Sequence, residues 1–223
     1  MTGRQSRDDR TGVSGVILAA GQSSRLGRPK QVLDVFGEPL LRHVVRHAVA
    51  SRLDEVVLVL GHEADRIAPA VGDWGQRTVV NPDYAEGQST SVHVGLAAID
   101  PRAEAVLFLL GDQPRVDPRI IDAVIARFRE TRAPIVMPTY GGIPANPVLF
   151  AAKLFPDLAR VTGDEGARSI VKSHRDLVAH VAVSDDLVPQ DVDTESDYRG
   201  LLAAMAKERT NLPSPAHRER GRG

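Results

Sequence analysis

The chain has 223 residues, 42% of them hydrophobic, which is enough for one globular domain with a substantial core and excludes a disordered or fibrous protein. It contains no cysteine, so disulfide scaffolds, thiolate zinc sites, iron–sulfur clusters and cysteine nucleophiles are excluded together. The formal net charge is −1, but the positive excess lies at the two ends, so the body of the chain is acidic and a general nucleic-acid-binding role is disfavoured.

The two ends of the chain differ in composition from the rest. Residues 1–13 and 207–223 are polar, contain Gly or Pro and lack apolar periodicity, so we expect two disordered tails around one domain at residues 14–206. No apolar run approaches the ~20 residues needed to cross a bilayer, and the first thirteen residues lack the apolar segment of a secretory signal. We therefore expect a cytoplasmic protein without a membrane partner.

Short β-rich runs alternate with helical patterns along the domain. Continuous apolar runs predict buried strands, and apolar positions three or four residues apart predict helices. The predicted strands cover residues 14–20, 55–60, 77–80, 103–110, 135–137 and 178–183. The predicted helices cover residues 39–51, 63–71, 90–99, 118–131, about 150–159, 165–174 and about 194–206, with an insertion or hairpin after Pro138. This alternation predicts an α/β fold, a three-layer α/β/α sandwich around a mostly parallel central sheet.

The segment that follows the first predicted strand concentrates positive charge. In open α/β sheets, ligands bind beyond the carboxyl ends of the strands. The sequence from Leu18 to Lys30, LAAGQSSRLGRPK, combines small residues and hydroxyls with the cations Arg25, Arg28 and Lys30. Small residues let the backbone approach a ligand, and clustered cations in an acidic body indicate a phosphate site. The alternative is an ordinary flexible loop with solvent-facing basic residues.

A single carboxylate follows the strand predicted at 103–110. In the sequence LGDQP, Gly111 allows the chain to turn, and Asp112 is left at the end of the strand. Mg²⁺ uses one or two protein carboxylates together with water and substrate phosphates, so Asp112 is a candidate magnesium ligand. The alternative is that Asp112 caps a turn.

Further acidic residues stand near the end of the domain, in the sequence QDVDTESDY. Asp191 and Asp193 lie on one side of the segment if it is extended, so either of them could be the second metal ligand. Glu195 and Asp197 are interpreted as first-turn acids that the helix dipole favours.

Taken together, the sequences LAAGQSSRLGRPK, NPDYAEGQSTSVHVGL, GDQP and DVDT resemble the motifs of the molybdenum-cofactor nucleotidyltransferases. The resemblance extends from about Gly15 to Tyr198 and implies a Rossmann-related nucleotidyltransferase fold of the glycosyltransferase-A-like type. Ala20 stands where the guanylyltransferases of this family usually have a second Gly, so the sequence is more similar to the cytidylyltransferases. Asn146 stands where close relatives often show Gly-His-Pro, in a loop expected near the acceptor.

The resemblance also implies roles for individual residues. Arg25 and Lys30 would neutralise the triphosphate and would form the catalytic set together with Asp112. Asp112 and Asp193 would bind Mg²⁺, the expected cofactor. The nucleotide-binding residues would be Leu18, Ala19, Ala20, Gly21, Ser24, Arg25, Lys30, Asn81, Gln88, Ser89, Ser91 and Gly111. Among them, Asn81, Gln88, Ser89 and Ser91 would line the base and ribose pocket.

The function that the resemblance implies is transfer of CMP from CTP to the molybdenum–molybdopterin cofactor, with release of pyrophosphate. The expected partners are CTP or GTP, a molybdopterin-type acceptor and, transiently, a molybdenum hydroxylase, but no nucleic acid. Two alternatives stay open: a nucleotidyltransferase of the same fold that uses a sugar or polyol phosphate, and a non-catalytic chaperone for molybdenum cofactor. The presence of Lys30, Asp112 and Asp193 together argues against the chaperone, because a binder could dispense with metal carboxylates.

Overall fold

The computed structural model describes residues 12–184 and 189–211, which contain an eight-stranded sheet, a two-stranded hairpin and seven α-helices. The strands are β1 Val13–Ala19, β2 Asp34–Val35, β3 Glu38–Pro39, β4 Glu55–Leu60, β5 Arg77–Val80, β6 Ala105–Leu110, β7 Ile135–Tyr140, β8 Ile143–Pro144, β9 Val148–Ala151 and β10 Val178–Val183. The helices are α1 Leu40–Val49, α2 Ala64–Val71, α3 Gln88–Ala98, α4 Pro118–Thr131, α5 Phe155–Leu158, α6 Arg168–Ser173 and α7 Glu195–Asn211.

The order of strands across the large sheet determines where a ligand can enter. The order is β10-β7-β9-β6-β1-β4-β5, with β8 paired to β7, while β2 and β3 form the separate hairpin. β1 is parallel to both of its neighbours, β4 and β6. Along the chain, β4 pairs with one edge of β1, and β5 pairs with β4. The chain then returns across the sheet, and β6 pairs with the other edge of β1. Such a reversal leaves a crevice at the carboxyl ends of β1 and β6, which is where open α/β sheets bind ligands.

The helix predicted at about 150–159 is wrong in its first part. Val148–Ala151 forms β9, which is antiparallel to both β6 and β7 and lies between them. All four of its residues are buried, and a four-residue apolar run in a fully buried strand carries no periodicity that separates it from a helix. The helical part is reduced to a short 3₁₀ turn at Ala152–Leu154 and the single turn of α5. The sheet is therefore mostly, but not wholly, parallel.

Two apolar layers cover the two faces of the sheet. On one face α1, α2 and α4 pack against the strands, and Val44, Ile67 and Ile121 are fully buried there. On the other face α3, α5 and α6 contribute residues such as Val92 and Leu158. This arrangement confirms the predicted three-layer α/β sandwich.

The last helix, α7, packs outside these two layers. Its Leu201 is fully buried in a separate cluster with Leu33, Val35 and Leu40, so α7 covers the β2–β3 hairpin rather than the large sheet. The helix predicted to end at Ala206 continues to Asn211, so the first five residues of the predicted C-terminal tail are helical. The predicted N-terminal tail is one residue too long, because Val13 is fully buried in β1. Residues 1–11 and 212–223 lie outside the described residues, so the tails themselves stay a prediction.

No helix in the described part of the chain combines the length and the apolar character that crossing a membrane requires.

Candidate active site

A cavity of about 780 Å³ opens at the carboxyl ends of β1 and β6, in the crevice that the strand order creates. The structure brings most of the predicted site residues to its walls. These are Leu18, Ala19, Ala20, Gly21, Ser24, Arg25, Lys30, Gln88, Ser91, Gly111, Asp112 and Asp193, and Asp191 lines the same cavity. The cavity is also lined by residues that the sequence motifs do not indicate as site residues: Gln22, Gln31, Tyr84 and Asp164.

The loop after β1 is held in shape by a buried glutamine. The Gln31 amide donates to the carbonyl oxygens of Ala19, at 3.0 Å, and Gly21, at 3.1 Å, and only 2% of Gln31 is exposed. The Ser23 hydroxyl accepts from the Lys30 backbone N–H at 3.1 Å, so both ends of the loop are tied together. Gln31 therefore fixes the backbone that faces the cavity. A glutamine beside Lys30 carries no signal of this role in the sequence, because its partners are backbone carbonyls.

Two further predicted residues do not reach the cavity. Asn81 is fully buried, and its amide donates to the hydroxyls of Thr90, at 2.8 Å, and Ser91, at 2.9 Å. Ser89 is buried as well, and its backbone N–H donates to the Gly163 carbonyl at 3.1 Å. Asn81 thus positions Ser91, which does line the cavity, rather than facing a ligand itself.

Lys30 lies between two carboxylates at the centre of the site. Its Nζ donates to Asp112 Oδ2 at 2.5 Å and to Asp193 Oδ1 at 2.9 Å. Asp112 follows β6, and Asp193 precedes α7, so the ammonium joins the loop after β1 to two distant parts of the chain. Only 17% of the Lys30 side chain and 13% of the Asp112 side chain are exposed, so this pair is screened weakly by solvent.

Burial and the ion pairs act in opposite directions on these groups. Burial raises the pKa of Asp112 above its usual range, although Lys30 opposes that shift. Burial alone would lower the pKa of Lys30, but Asp112 and Asp193 together raise it above its ordinary value. The hydrogen bond from Lys30 lowers the pKa of Asp193. At neutral pH Lys30 is therefore held as a cation, positioned toward any anion in the cavity.

Arg25 and Arg28 differ in what they face. Arg25 lines the cavity, and its Nη1 lies 3.0 Å from Asp193 Oδ2. Arg28 is not part of the cavity wall; its Nη2 lies 3.0 Å from Glu195 Oε2, and its guanidinium is 6.0 Å from the centre of the Tyr198 ring. Of the three cations in the loop, Arg25 and Lys30 are thus the two that a phosphate in the cavity can reach.

The donor set of the site fits a divalent cation that also binds phosphate. Asp112 and Asp193 present carboxylate oxygens within 3 Å of one nitrogen, at the edge of a cavity open to water. Among residues 12–184 and 189–211, no three His, Cys, Asp or Glu side chains form a group that could hold a metal by themselves. Mg²⁺ needs no such group, because it keeps water ligands and takes substrate phosphates beside one or two carboxylates.

Close packing explains why a glycine precedes Asp112. A Cβ built on Gly111 would lie 2.7 Å from the Ala19 Cβ and 3.1 Å from Leu41 Cδ1. The absent side chain therefore lets β6 approach β1 at the point where both strands end. Gly111 shapes the crevice rather than supplying freedom to a loop.

We expect Gly111→Ala to lower the free energy of unfolding by about 1–3 kcal/mol, because the added methyl overpacks the contact with Ala19. Denaturant unfolding followed by circular dichroism measures this change. Gly21→Ala is the matched control, since a Cβ there meets no atom within 4 Å, and its stability should stay close to that of the unaltered protein. Equal stability of the Gly111 and Gly21 variants would contradict the packing role.

The fold and the site define the class of protein: a mostly parallel α/β sandwich with a cation-rich loop after β1, which is the nucleotidyltransferase fold. The particular family follows from the sequence. Residues 15–178 match the family described as MobA-like NTP transferase domain, and the chain belongs to that family. The resemblance to the molybdenum-cofactor nucleotidyltransferases is thereby confirmed at the level of the family.

Relatives that match nearly the whole chain carry different names. The chain is 32% identical over 199 residues to nicotine blue oxidoreductase of Paenarthrobacter nicotinovorans, covering 85% of this chain and 96% of that protein. It is 30% identical over 203 residues to the purine catabolism protein PucB of Bacillus subtilis, covering 86% and 97%. The structure of Rv0371c in complex with manganese, from Mycobacterium tuberculosis H37Rv, is similar with a TM-score of 0.76 and 35% identity, covering 86% and 99%.

Proposed function

We propose that the protein is a Mg²⁺-dependent cytidylyltransferase that transfers CMP from CTP to the molybdenum–molybdopterin cofactor. The observation that carries this proposal is the position of Lys30 between Asp112 and Asp193 in the crevice beside β1. A cation and two carboxylates at that place can bind a triphosphate together with its metal ion. The names of the relatives do not agree on one reaction. The argument for nucleotidyl transfer therefore depends on these site residues.

In the proposed reaction, an oxygen of the acceptor phosphate attacks the α-phosphorus of CTP, and the bond to the β-phosphate breaks as pyrophosphate leaves. Lys30 and Arg25 donate to the phosphate oxygens on which negative charge accumulates, and they hold the triphosphate in line for attack. The acceptor phosphate is ionised at neutral pH, so the reaction needs neither a general base nor a protein nucleophile.

Asp112 and Asp193 are the residues that would hold the magnesium ion. When bound, Mg²⁺ supplies further neutralisation of the triphosphate and of the pyrophosphate that leaves. The manganese complex of Rv0371c supports a divalent metal in a relative of this chain. The oxygen-only donor set of the two aspartates suits Mg²⁺, as it also suits Mn²⁺.

The choice of CTP rests on Ala20 in the wall of the cavity. Ala20 has a methyl group at a position where the guanylyltransferases that this sequence resembles usually have Gly. A pocket narrowed by one methyl group should accept a single-ring base more readily than a two-ring base. Ala20 is only 6% exposed, and a Cβ at Gly61 would lie 2.8 Å from the Ala20 Cβ, so most of the methyl packs against Gly61. Its steric effect on the base is therefore small.

We expect the protein to prefer CTP over GTP, and Ala20→Gly to relax this preference without reversing it. One methyl group changes discrimination by about 1–3 kcal/mol, and the burial of Ala20 favours the lower end of that range. The measurement is competition between the two nucleotides with molybdenum cofactor as acceptor, followed by release of labelled pyrophosphate. A protein that prefers GTP would contradict the base assignment, whereas transfer to a sugar phosphate alone would contradict the acceptor.

A further inference from the structure

A second side-chain hydrogen bond connects the loop after β6 to the segment before α7, next to the link that Lys30 makes between Asp112 and Asp193. Gln113 directly follows Asp112, and its Nε2 donates to Asp191 Oδ1 at 2.7 Å. The two connections are therefore parallel: Asp112 reaches Asp193 through Lys30, and Gln113 reaches Asp191 directly. Nothing in the proposed reaction uses Gln113 or requires that Asp191 have a partner.

The backbone around Gln113 is fixed at both ends. Its N–H donates to the Leu110 carbonyl at 3.3 Å, and its carbonyl accepts from the Val116 N–H at 3.1 Å. Only 5% of the residue is exposed. The amide group of Gln113 therefore extends from a fixed turn at the end of β6, and it can hold Asp191 in place.

The segment that contains Asp191 and Asp193 is anchored by an apolar residue. Val192 is fully buried among Leu33, Val35 and Leu201, and the two aspartates on either side of it line the cavity. Burial of Val192 fixes the segment against the β2–β3 hairpin and α7. The bonds from Gln113 and Lys30 fix it against the loops that follow β6 and β1.

Lys30 cannot serve as a permanent link between the two metal-binding carboxylates. In the proposed reaction its ammonium donates to the triphosphate, so its bonds to Asp112 and Asp193 are exchanged or shared when the substrate binds. The bond from Gln113 to Asp191 involves no group that the triphosphate needs. It is therefore the connection that can persist through binding and keep Asp193 at a set distance from Asp112.

The choice of a glutamine at this place has no packing advantage. Gln113 Oε1 is buried and has no hydrogen-bond partner in the described part of the chain. An unsatisfied buried acceptor is destabilising, and a methionine of similar size would avoid it. The hydrogen bond from Nε2 to Asp191 is therefore the contribution of this side chain that a methionine could not make.

We propose that Gln113 is a positioning residue, which holds Asp191 outside the metal coordination sphere and thereby sets Asp193 opposite Asp112. Asp191 then acts as an acceptor for Gln113 and not as a ligand. This inference rests on the proposed function, because it assumes that a divalent cation binds with the nucleotide. Partners bonded directly to a metal ligand change metal affinity by 10–100-fold when they are removed. Gln113 acts one step further away, through Asp191, so its effect should lie near the lower end of that range.

The test compares Gln113→Met with the unaltered protein by Mn²⁺ titration in the presence of CTP, followed by electron paramagnetic resonance, and by thermal unfolding. We expect Mn²⁺ affinity to fall by about 10-fold, the lower end of the range for ligand-positioning groups, because Gln113 acts through Asp191. The unfolding temperature should stay the same or rise, because the orphan oxygen is gone. Gln76→Met is the matched control; Gln76 donates to the Gly72 carbonyl at 2.8 Å in the loop before β5, away from the cavity.

A second variant decides the matter independently of how Gln113→Met folds. Asp191→Asn keeps an oxygen that accepts from Gln113, so we expect it to retain most of the Mn²⁺ affinity. Unchanged Mn²⁺ affinity in Gln113→Met, or a loss in Asp191→Asn as large as that in Asp112→Ala, would overturn the inference. If instead Mn²⁺ does not bind the unaltered protein, or Asp112→Ala binds it equally well, the proposed function itself fails.

Discussion

Asp112→Ala is expected to lower the rate of nucleotidyl transfer by about 10³-fold or more, because a metal ligand that neutralises transition-state charge contributes several kcal/mol. The fold should survive, since Lys30 keeps its bond to Asp193 at 2.9 Å and the removed carboxylate is one that burial makes costly to ionise. Release of labelled pyrophosphate measures the rate. Circular dichroism and thermal unfolding establish that the variant is folded.

Two further variants sharpen the result for Asp112. Asp112→Asn keeps the size of the side chain and removes its charge, so it should lose nearly as much activity as the alanine variant. Asp73→Ala is the control, because Asp73 accepts from the Gly75 N–H in an exposed loop that does not line the cavity. A normal rate in Asp112→Ala would remove this residue from the metal site.

Lys30→Ala is expected to weaken CTP binding by about 1.5–3 kcal/mol, roughly 10–150-fold, which is typical for the loss of one charge-assisted hydrogen bond. The loss should be at the upper end of this range, because only 17% of the side chain is exposed and the contact is weakly screened. The variant also leaves Asp112 and Asp193 without the ammonium that separates them. Calorimetric titration with CTP and Mg²⁺ measures the change.

Arg28→Ala provides the comparison for Lys30. Arg28 lies outside the cavity wall and pairs with Glu195, with both side chains about half exposed. Exposed ion pairs of this kind contribute about 0–1 kcal/mol, so CTP affinity should change little. Equal CTP affinity in Lys30→Ala and the unaltered protein would exclude Lys30 from the site, whereas a larger loss in Arg28→Ala would reverse the roles of the two cations.

The sequence predicts those parts of the fold that local chemistry decides. The strand predicted at 55–60 is β4, and the helix predicted at 118–131 is α4, without a shift at either end. β4 is a continuous apolar run, and α4 begins with Pro118 after Asp117, whose side chain accepts from the N–H groups of Arg119 and Ile120. The N-terminal cap and the apolar periodicity of α4 indicate the same first residue, so local sequence determines where this helix begins.

Other parts depend on partners that are distant along the chain. β9 is a strand because β6 and β7 pair with both of its edges, and no residue within Val148–Ala151 encodes those partners. Gln31 supports the loop after β1 through carbonyl oxygens, which are the same in every sequence. Asn81 has the polarity of a binding residue, yet it is fully buried behind Ser91. Residue type alone does not distinguish a side chain that contacts a ligand from a buried side chain that positions such a contact.

In the loop from Leu18 to Lys30, carboxylates of the protein compete with the proposed substrate for the cations. Asp193 holds Lys30 and Arg25, and Glu195 holds Arg28, so carboxylates occupy every cation of the loop before a nucleotide arrives. Binding a triphosphate is then an exchange of anions, and its free energy is a difference between two sets of ion pairs. Added salt screens both sets, so nucleotide affinity should depend less steeply on ionic strength than two free cations in the cavity, Arg25 and Lys30, would require. The site should therefore discriminate against anions that bind the cations less well than a carboxylate does, because such anions cannot displace Asp193 from Lys30 and Arg25.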